Sequence, residues 1–352
     1  MKGGHSAAGA VGDGSQNKPG DWIPIGVIDR RHVVVRRRSL PSLLAVLLVL
    51  GLILSGAPVR AGALDGSRFF FSGDGRIDLL SEKNGHSFVG IYRHGAQRYD
   101  ETALQTICRV FDVPYDPELS NLSLRLLEFL DFLQDNLNRG AKITITSGYR
   151  SPEYNTSVRK RGGLAAKASL HQYGMAADIK MEGVPARRVW ETVKTLGFGG
   201  VGYYHGDTVH IDVGPARSWD ETTSGVGTGI SDDNKLIGLA SEYDRYRPGE
   251  MVTLRFIRMT AFPIGVASEF ALDRRIGPDG AKKTVKFTPS LKIAAGPACP
   301  EFEDIDQMAH IHWRLPADLP PGRYAVRAQF CSIEWKGMPT EIATPEFVIV
   351  RP

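Results

Sequence analysis

Apolar and polar positions follow two different periods along this chain. Between residues 122 and 137, leucines recur at spacings of three and four, which predicts an amphipathic helix that ends before Gly140. Further helices are expected after Pro152 and from Pro185 to about residue 196, since proline favours the first helical turn. Residues 142–146 alternate between polar and apolar positions instead, and this period predicts a strand.

Other short strands with turn signals lie around these helices. Asn84-Gly85 predicts a hairpin between residues 77–80 and 88–92, within a strand-rich segment at 68–99. More strands are expected at 177–181, 200–204 and 208–213. Helices mixed with strands that are mostly hairpin-linked indicate an α+β domain with an antiparallel sheet, over residues 64–220.

The pattern changes after residue 220. Residues 221–234 are small, polar and glycine-rich, which is typical of a linker. From residue 235 to 352 helical periodicity is almost absent, and short β-type runs are separated by proline and glycine. The runs lie at 251–257, 283–288, 310–315, 324–330 and 346–350. They predict a small all-β sandwich of the size of immunoglobulin-like modules.

A basic and apolar leader precedes both parts. A 12-residue apolar run at 43–54 follows Arg36-Arg37-Arg38, and a membrane-spanning helix needs about 20 such residues. Ala61-Gly62-Ala63 fits a signal-peptide cleavage site, and residues 37–40 look like part of a twin-arginine export signal. We expect 1–63 to be a leader that directs export to the periplasm or cell envelope of a bacterium. An uncleaved anchor is the alternative, and in either case only this segment would meet a membrane.

Charge and cysteine content narrow the class further. The 352 residues have a net charge of +4, but this excess lies in residues 1–38, so the exported part is neutral and nucleic acid is not an expected partner. In an oxidising compartment Cys299 and Cys331 are expected to form a disulfide, whereas Cys108, in an apolar helical stretch, is expected to be a buried thiol. The absence of a C-x-x-C motif excludes a cysteine-based zinc site of that type.

Two segments carry candidate chemistry. In residues 169–178 a histidine and an aspartate, His171 and Asp178, lie seven positions apart, and a strand is expected to start at the aspartate. His210 lies on another expected strand. A lone histidine is usually a packing or surface residue. Two imidazoles and one carboxylate in one sheet, however, form the ligand set of a catalytic zinc site with a fourth position left for water.

The residues of these segments resemble a known family. Ser169-x-His171-x-x-Gly174-x-Ala176-x-Asp178 matches the signature of zinc D-Ala-D-Ala carboxypeptidases and murein endopeptidases. This LAS-type group shares a fold with lysostaphin-like enzymes and the hedgehog signalling domain. Three further blocks occur in order: residues 147–155 (SGYRSPEYN), 198–204 (FGGVGYY) and 209–212 (VHID) with Trp219. The resemblance covers about residues 68–220 and does not extend to 235–352.

The resemblance implies roles for individual residues. His171, Asp178 and His210 would be the zinc ligands. Arg150 would face the cleft and neutralise an oxyanion or a substrate carboxylate, although a salt bridge that ties its loop to the core is the alternative. Ser169 and Asn155 are expected to fix loops by hydrogen bonds.

The general base is where the sequence departs from the family pattern. Many relatives have a glutamate three residues before the last histidine ligand, or a second histidine two residues after it. Here these positions hold Asp207 and Asp212. Asp207 could take a proton if its loop reaches the site, or be an ordinary turn residue. Asp212 shares a strand face with His210 and could be the base or orient that ligand. His205 is a third candidate.

These observations predict an exported zinc metallopeptidase that hydrolyses peptide bonds in the stem peptides of bacterial peptidoglycan, as an endopeptidase or a carboxypeptidase. The alternative is a catalytically inactive, zinc-binding module that binds the cell wall. The C-terminal part is expected to bind the wall or a protein partner. His310-Ile311-His312 resembles a metal-binding pair, but without a third ligand at motif spacing we expect packing or surface roles. The sequence leaves open which peptidoglycan bond is cleaved.

Overall fold

A computed structural model describes residues 66–116, 121–161, 165–277, 280–291, 299–331 and 333–350. The expected leader, with its cleavage and twin-arginine motifs, lies outside these residues. None of the helices in the described ranges combines the length and the apolar character that crossing a membrane requires. The protein is a mixed α and β structure with many strands and few helices.

The part up to Asp220 contains all the α-helices of the described chain. Its strands are β1 (Arg76–Ser81), β2 (Ser87–Ile91), β3 (Arg93–His94), β4 (Arg98–Tyr99), β5 (Ile143–Ser147), β6 (Ala176–Met181), β7 (Gly200–Tyr203), β8 (Val209–Asp212) and β9 (Arg217–Asp220). Its helices are α1 (Glu101–Val110), α2 (Leu124–Leu137), α3 (Pro152–Lys160) and α4 (Ala186–Leu196), with a short 3-10 helix at Leu170–Tyr173.

Seven of these strands form one sheet in the order β2-β1-β5-β6-β8-β7-β9. The expected hairpin at Asn84-Gly85 is confirmed, with Leu79 paired to Phe88. The expectation of an antiparallel sheet is wrong at two places, because β1 pairs with β5 in parallel and so does β7 with β9. Parallel pairing needs a long crossover, and α1 and α2 supply it between β1 and β5.

Helix α2 lies in the core and is buried on more than its leucine stripe. Leu126, Leu127, Leu130 and Leu133 are fully buried, as the periodicity predicted. Polar residues of the same helix are buried as well, each with a partner. Glu128 pairs with Arg93 at 2.6 Å, and Asp131 accepts a hydrogen bond from the Tyr92 hydroxyl at 2.7 Å.

The part from residue 235 onward consists of strands. They are β10 (Gly238–Ser241), β11 (Arg245–Tyr246), β12 (Met251–Ile257), β13 (Ile264–Gly265), β14 (Phe270–Arg275), β15 (Lys282–Phe287), β16 (Glu301–Phe302), β17 (Ile311–Arg314), β18 (Gly322–Gln329), β19 (Glu341–Ala343) and β20 (Phe347–Ile349). One sheet has the order β10-β12-β17, and a second has the order β11-β20-β18-β14-β15 with β19 on β18. Cys299 and Cys331 are disulfide-bonded, and Cys108 is a buried free thiol, so both cysteine predictions are confirmed.

Hydrogen bonds and ion pairs join the two parts closely. Arg125 on α2 pairs with Asp244, between β10 and β11, at 2.9 Å, and both side chains are almost fully buried. The same aspartate accepts a hydrogen bond from the backbone N–H of Phe70. Within the signature at residues 169–178, the Tyr173 hydroxyl accepts a hydrogen bond from the backbone N–H of Met259 at 3.0 Å. The second part is therefore packed directly against the segment that carries His171.

Candidate metal centre

Adjacent strands and one short helix bring three candidate ligands together. Strands β6 and β8 are neighbours, and their register pairs Asp178 with His210. His171 lies in the 3-10 helix, which Gly174 ends in the left-handed conformation at φ 60°. A Cβ atom on Gly174 would lie 1.8 Å from the carbonyl oxygen of Asn121, so only glycine allows this close approach.

The three side chains converge on one point. His210 Nδ1 lies 2.9 Å from Asp178 Oδ1, and His171 Nε2 lies 3.5 Å from the same oxygen. The two imidazole nitrogens are 3.3 Å apart. His171 is only 2% exposed, and His210 is also buried. Two nitrogens and one carboxylate oxygen thus form a compact donor group inside the protein.

The outer nitrogen of each imidazole has its own acceptor. His171 Nδ1 lies 2.6 Å from the carbonyl oxygen of Gly148, and His210 Nε2 lies 2.9 Å from Asp212 Oδ2. If each outer nitrogen donates its proton, the lone pairs of His171 Nε2 and His210 Nδ1 point at the shared centre. Metal-binding histidines are held in this way, and the donor set fits Zn²⁺.

Asp212 is buried and interacts with four groups, one of which is the His210 ring described above. Its carboxylate accepts from Arg217 at 2.6 Å and 2.9 Å, and from the backbone N–H groups of Gly200 and Gly214. Burial opposes ionisation, but the Arg217 charge and the bond to His210 hold the pKa of Asp212 well below its usual range. Asp212 is therefore an ionised acceptor that orients His210.

The ligand side chains influence one another electrostatically. Burial lowers the pKa of His171 and so favours its neutral form. Burial works against the charge on Asp178, but the two histidines hold the pKa of this carboxyl well below its ordinary value. His210 is also desolvated, yet its hydrogen bonds to Asp178 and Asp212 raise its pKa. These shifts leave Asp178 ionised and His171 neutral, the forms in which both side chains can bind a cation.

Arg150 contacts the candidate ligand Asp178 directly. Its Nη2 donates to Asp178 Oδ2 at 2.8 Å, and its Nε donates to Ser147 Oγ at 2.9 Å. The residue also lines the cleft in front of the histidines. Both sequence-based alternatives therefore describe part of its position, since Arg150 forms a salt bridge and faces the cleft.

Asp207 and His205 lie at the turn between β7 and β8. The Asp207 side chain is 77% exposed and pairs with Lys180 at 3.3 Å. Lys180 shares a face of β6 with Asp178, because alternate residues of a strand point to the same side. His205 packs its ring on Tyr203, with centroids 4.7 Å apart. Neither residue lines the cleft in the described part of the chain, so the structure places both outside the ligand group.

The cleft in front of the histidines has a volume of about 370 Å³ and includes residues to which sequence reasoning gave no role. The Trp219 ring packs on His210 with centroids 5.1 Å apart. Tyr204 faces the same space, and burial raises its pKa to about 12. Residues 223–226, 230 and 231 of the expected linker also line the cleft, as does Arg258 from the second part. Tyr204 and Trp219 belong to blocks that carry the family resemblance, whereas residues 223–226 and Arg258 had no periodic or motif signal in the sequence.

Two other groups of potential ligands have structural partners. Asp74, Asp131 and Asp135 lie close together, and Asp131 and Asp135 accept hydrogen bonds from the backbone N–H groups of Gly75 and Asp74. In the pair at 310–312, His312 Nδ1 lies 3.2 Å from Thr253 Oγ1. Neither histidine of that pair belongs to a group of three ligands among the described residues.

The sequence around this centre also matches known proteins. Residues 74–219 match the family described as peptidoglycan L,D-endopeptidase MepK. The Escherichia coli K12 protein of that name is 30% identical over 171 residues, which cover 48% of this chain and 94% of that protein. This chain belongs to that family.

Two further matches, one to a curated protein and one to a solved structure, cover less of their partner. The probable peptidoglycan L,D-endopeptidase MepK of Haemophilus influenzae is 40% identical over 89 residues, or 25% of this chain and 48% of that protein. Among solved structures, the sporulation control protein Spo0M of Bacillus subtilis covers 33% of this chain at 16% identity, but its TM-score of 0.19 is too low to indicate a shared fold. The MepK family match contains His171, Asp178 and His210 and stops before β10.

Proposed function

We propose that this chain is a zinc-dependent peptidase that hydrolyses peptide bonds of peptidoglycan. The convergence of His171 Nε2, His210 Nδ1 and Asp178 Oδ1 in a cleft carries this proposal. Membership of the MepK family adds the substrate, because the E. coli relative is a peptidoglycan L,D-endopeptidase. We extend that bond type, L,D, to this chain. The proposed zinc ligands are His171, Asp178 and His210.

Zinc in such a site supplies Lewis-acid polarisation of a carbonyl and lowers the pKa of water. The protein holds the donor atoms in place for it, since Gly148 fixes the ring of His171 and Asp212 fixes the ring of His210. Arg150 fixes Asp178 and places a positive charge beside the cleft, where an oxyanion develops during amide hydrolysis. Tyr204 keeps its proton at neutral pH, so its hydroxyl can donate to the same oxygen.

We propose Asp207 as the general base. Its carboxylate is ionised at neutral pH, as a base must be, and the hydrogen bond to Lys180 lowers its pKa further. Asp207 pairs with Lys180, which shares a face of β6 with Asp178, and the proposed role requires the exposed Asp207 side chain to leave Lys180 and turn towards the cleft. Asp212, the other candidate, already accepts from four groups, and a proton transfer to it would break these hydrogen bonds.

The proposal extends to the rest of the chain. We propose that residues 1–63 direct export and that the enzyme acts in the cell envelope, where peptidoglycan lies. We also propose that the MepK-like part has the hedgehog-type fold of the LAS group. The two larger sheets of the second part would then form the expected sandwich over 235–352.

Digestion of purified murein sacculi by the full-length chain tests the function. With zinc, we expect soluble muropeptides, and mass spectrometry should show that L,D bonds are cut. A chelator should abolish release, and added zinc should restore it. His171→Ala should lose both zinc and activity, whereas His86→Ala, at an exposed histidine, should keep both.

Two results would contradict this proposal. Release of muropeptides that a chelator leaves unchanged would exclude the metal mechanism. Stoichiometric zinc and binding to sacculi without any release would support the alternative of an inactive wall-binding module.

A further inference from the structure

The second part of the chain supplies a side chain to the cleft. Arg258 directly follows β12 and lines the same space as His171 and His210. Its backbone has φ 63°, a conformation that is uncommon for a residue with a long side chain. The neighbouring Met259 N–H donates to the Tyr173 hydroxyl, two residues from His171. This contact fixes the position of Arg258 relative to the metal centre.

Arg258 differs from Arg150 and Arg217 because it forms no ion pair with any described residue, although the Asp212 carboxylate acts on it from a longer distance. Arg150 pairs with Asp178, and Arg217 pairs with Asp212. No carboxylate oxygen in the described part of the chain lies within 4.0 Å of the Arg258 guanidinium, and its buried Nε has no hydrogen-bond partner. Burial and the nearby Arg217 charge lower the pKa of Arg258 to about 10, so it remains protonated at neutral pH.

An arginine in this state is suited to bind an anion. Burial of a cationic group without a counter-ion is unfavourable, and a guanidinium forms paired hydrogen bonds with a carboxylate. The cleft that Arg258 lines is open to solvent, so a soluble ligand can enter it. Peptidoglycan stem peptides carry free carboxylates, which provide the missing partner.

We propose that Arg258 forms a carboxylate-binding subsite and thereby makes an acidic peptide the preferred substrate. The subsite would contact a carboxylate of the substrate close to the scissile amide. This inference rests on the proposed function, because the substrate is taken to be a peptidoglycan peptide. It assigns to the second part of the chain a direct role in substrate selection, beyond any binding of wall or partner protein.

Kinetics on a matched peptide series test the subsite. The full-length zinc-loaded chain is given L,D-linked stem peptides in which each carboxylate near the scissile bond is replaced in turn by a carboxamide. One replacement should lower kcat/KM by about 10–100-fold, the worth of a hydrogen bond to a charged group. Arg258→Gln should lower kcat/KM by a similar factor on the carboxylate peptide and leave it unchanged on that carboxamide peptide. On the carboxylate peptide, the kcat/KM of Arg258→Lys should lie between the values for Arg258→Gln and the unmodified chain. Lysine keeps the charge but lacks the paired N–H donors of a guanidinium.

The controls distinguish loss of this subsite from misfolding and from failure of the proposed function. Arg323→Gln, at an exposed arginine of the same part, should behave as the unmodified chain. If Arg258→Gln lowers kcat/KM equally on both peptides, or on neither, the subsite is wrong. If it does not fold, as judged by circular dichroism, Arg258→Lys decides, and unchanged discrimination by a folded lysine variant overturns the subsite. If the unmodified chain cleaves none of the peptides, the proposed function itself fails.

Discussion

Two aspartates close to His210 in sequence have opposite surroundings. Asp212 is fully buried and accepts from His210, Arg217 and two backbone N–H groups, whereas Asp207 is exposed on a turn and contacts Lys180. The sequence presents both as carboxylates near one ligand, and only the structure separates them. Burial and a full set of donors suit Asp212 to orient His210, whereas the Asp207 carboxylate has acceptor capacity left for a proton.

Substitution of each aspartate by asparagine should therefore give different defects. Asp207→Asn should keep zinc and lower turnover by about 10²–10⁴-fold, since it removes the proposed base and, besides that, only an exposed ion pair with Lys180. Asp212→Asn should weaken zinc affinity by about 10–100-fold, because the amide is a poorer acceptor for His210 and Arg217. Metal content and single-turnover rates at saturating zinc measure the two effects.

The reverse pattern would identify Asp212, rather than Asp207, as the general base. A metal-loaded but inactive Asp212→Asn, beside an active Asp207→Asn, would assign the proton transfer to Asp212. Full activity in both variants would exclude both carboxylates and make His205 the residue to test.

A third aspartate is expected to make stability depend on pH. Burial raises the pKa of Asp131 to about 7, above the usual value near 4 in an unfolded chain. Between these values the folded state binds more protons, so stability should fall as pH rises from about 4 to 7. Asp131→Asn stays neutral and can still accept from Tyr92 and Gly75. We expect it to be more stable than the unmodified chain at pH 8 by roughly 1–4 kcal/mol, and by less at pH 5.

Urea titrations with a chelator present at both pH values measure this difference. Asp318→Asn, at an exposed position, should follow the unmodified chain at each pH. A constant offset between Asp131→Asn and the unmodified chain at pH 5 and pH 8 would show that the carboxyl does not titrate in this window.

The 3-10 helix that carries His171 depends on its terminal glycine. Gly174 and Gly197 both end helices with φ near 60°, but a Cβ on Gly174 would strike the Asn121 carbonyl, whereas Gly197 has nothing within 4 Å. Gly197→Ala should thus cost only the conformational strain, about 1–2 kcal/mol. Gly174→Ala should cost more than about 3 kcal/mol and lower zinc content, because the 3-10 helix must shift.

Denaturant unfolding and metal analysis of the two alanine variants provide the comparison. Equal losses of stability at the two glycines, with zinc content unchanged in both, would show that the contact of Gly174 with Asn121 does not position His171.

Elements with strong local signals were predictable, and those set by distant contacts were not. The leucine stripe predicted α2, and Asn84-Gly85 predicted the β1–β2 hairpin. Strand β14 was missed because the charged residues Asp273, Arg274 and Arg275 interrupt its apolar alternation. Asp273 is nevertheless buried, and it pairs with Arg327 on β18 and accepts from Thr284 on β15. The three candidate ligands followed from a motif, whereas Arg258 lines the cleft because β12 packs beside the 3-10 helix.

At the scale of the whole molecule, the segments beyond residue 220 contribute to the cleft and pack against the first part of the chain. The segment expected to be a linker lines the cleft at 223–226, and Asn234 at its end bonds to the backbone of Ala261. Composition predicted a linker there, and the segment contacts both parts, because Asp232 pairs with Lys167 and the Asn234 N–H donates to Thr260. Cleft and interface are therefore parts of one structure, and stability of the interface should affect the cleft.

The Arg125–Asp244 pair is expected to couple the unfolding of the two parts. Asp244→Ala would leave Arg125 buried without its partner, which usually costs about 3–5 kcal/mol. It would also remove the acceptor of the Phe70 N–H. The unmodified chain should unfold in one calorimetric transition, and Asp244→Ala should unfold at lower temperature in two.

Arg187→Ala, which breaks the exposed pair with Glu191, should change stability by less than about 1 kcal/mol and keep one transition. A single transition in Asp244→Ala at the original temperature would mean that other contacts, such as that of Tyr173 with Met259, join the two parts.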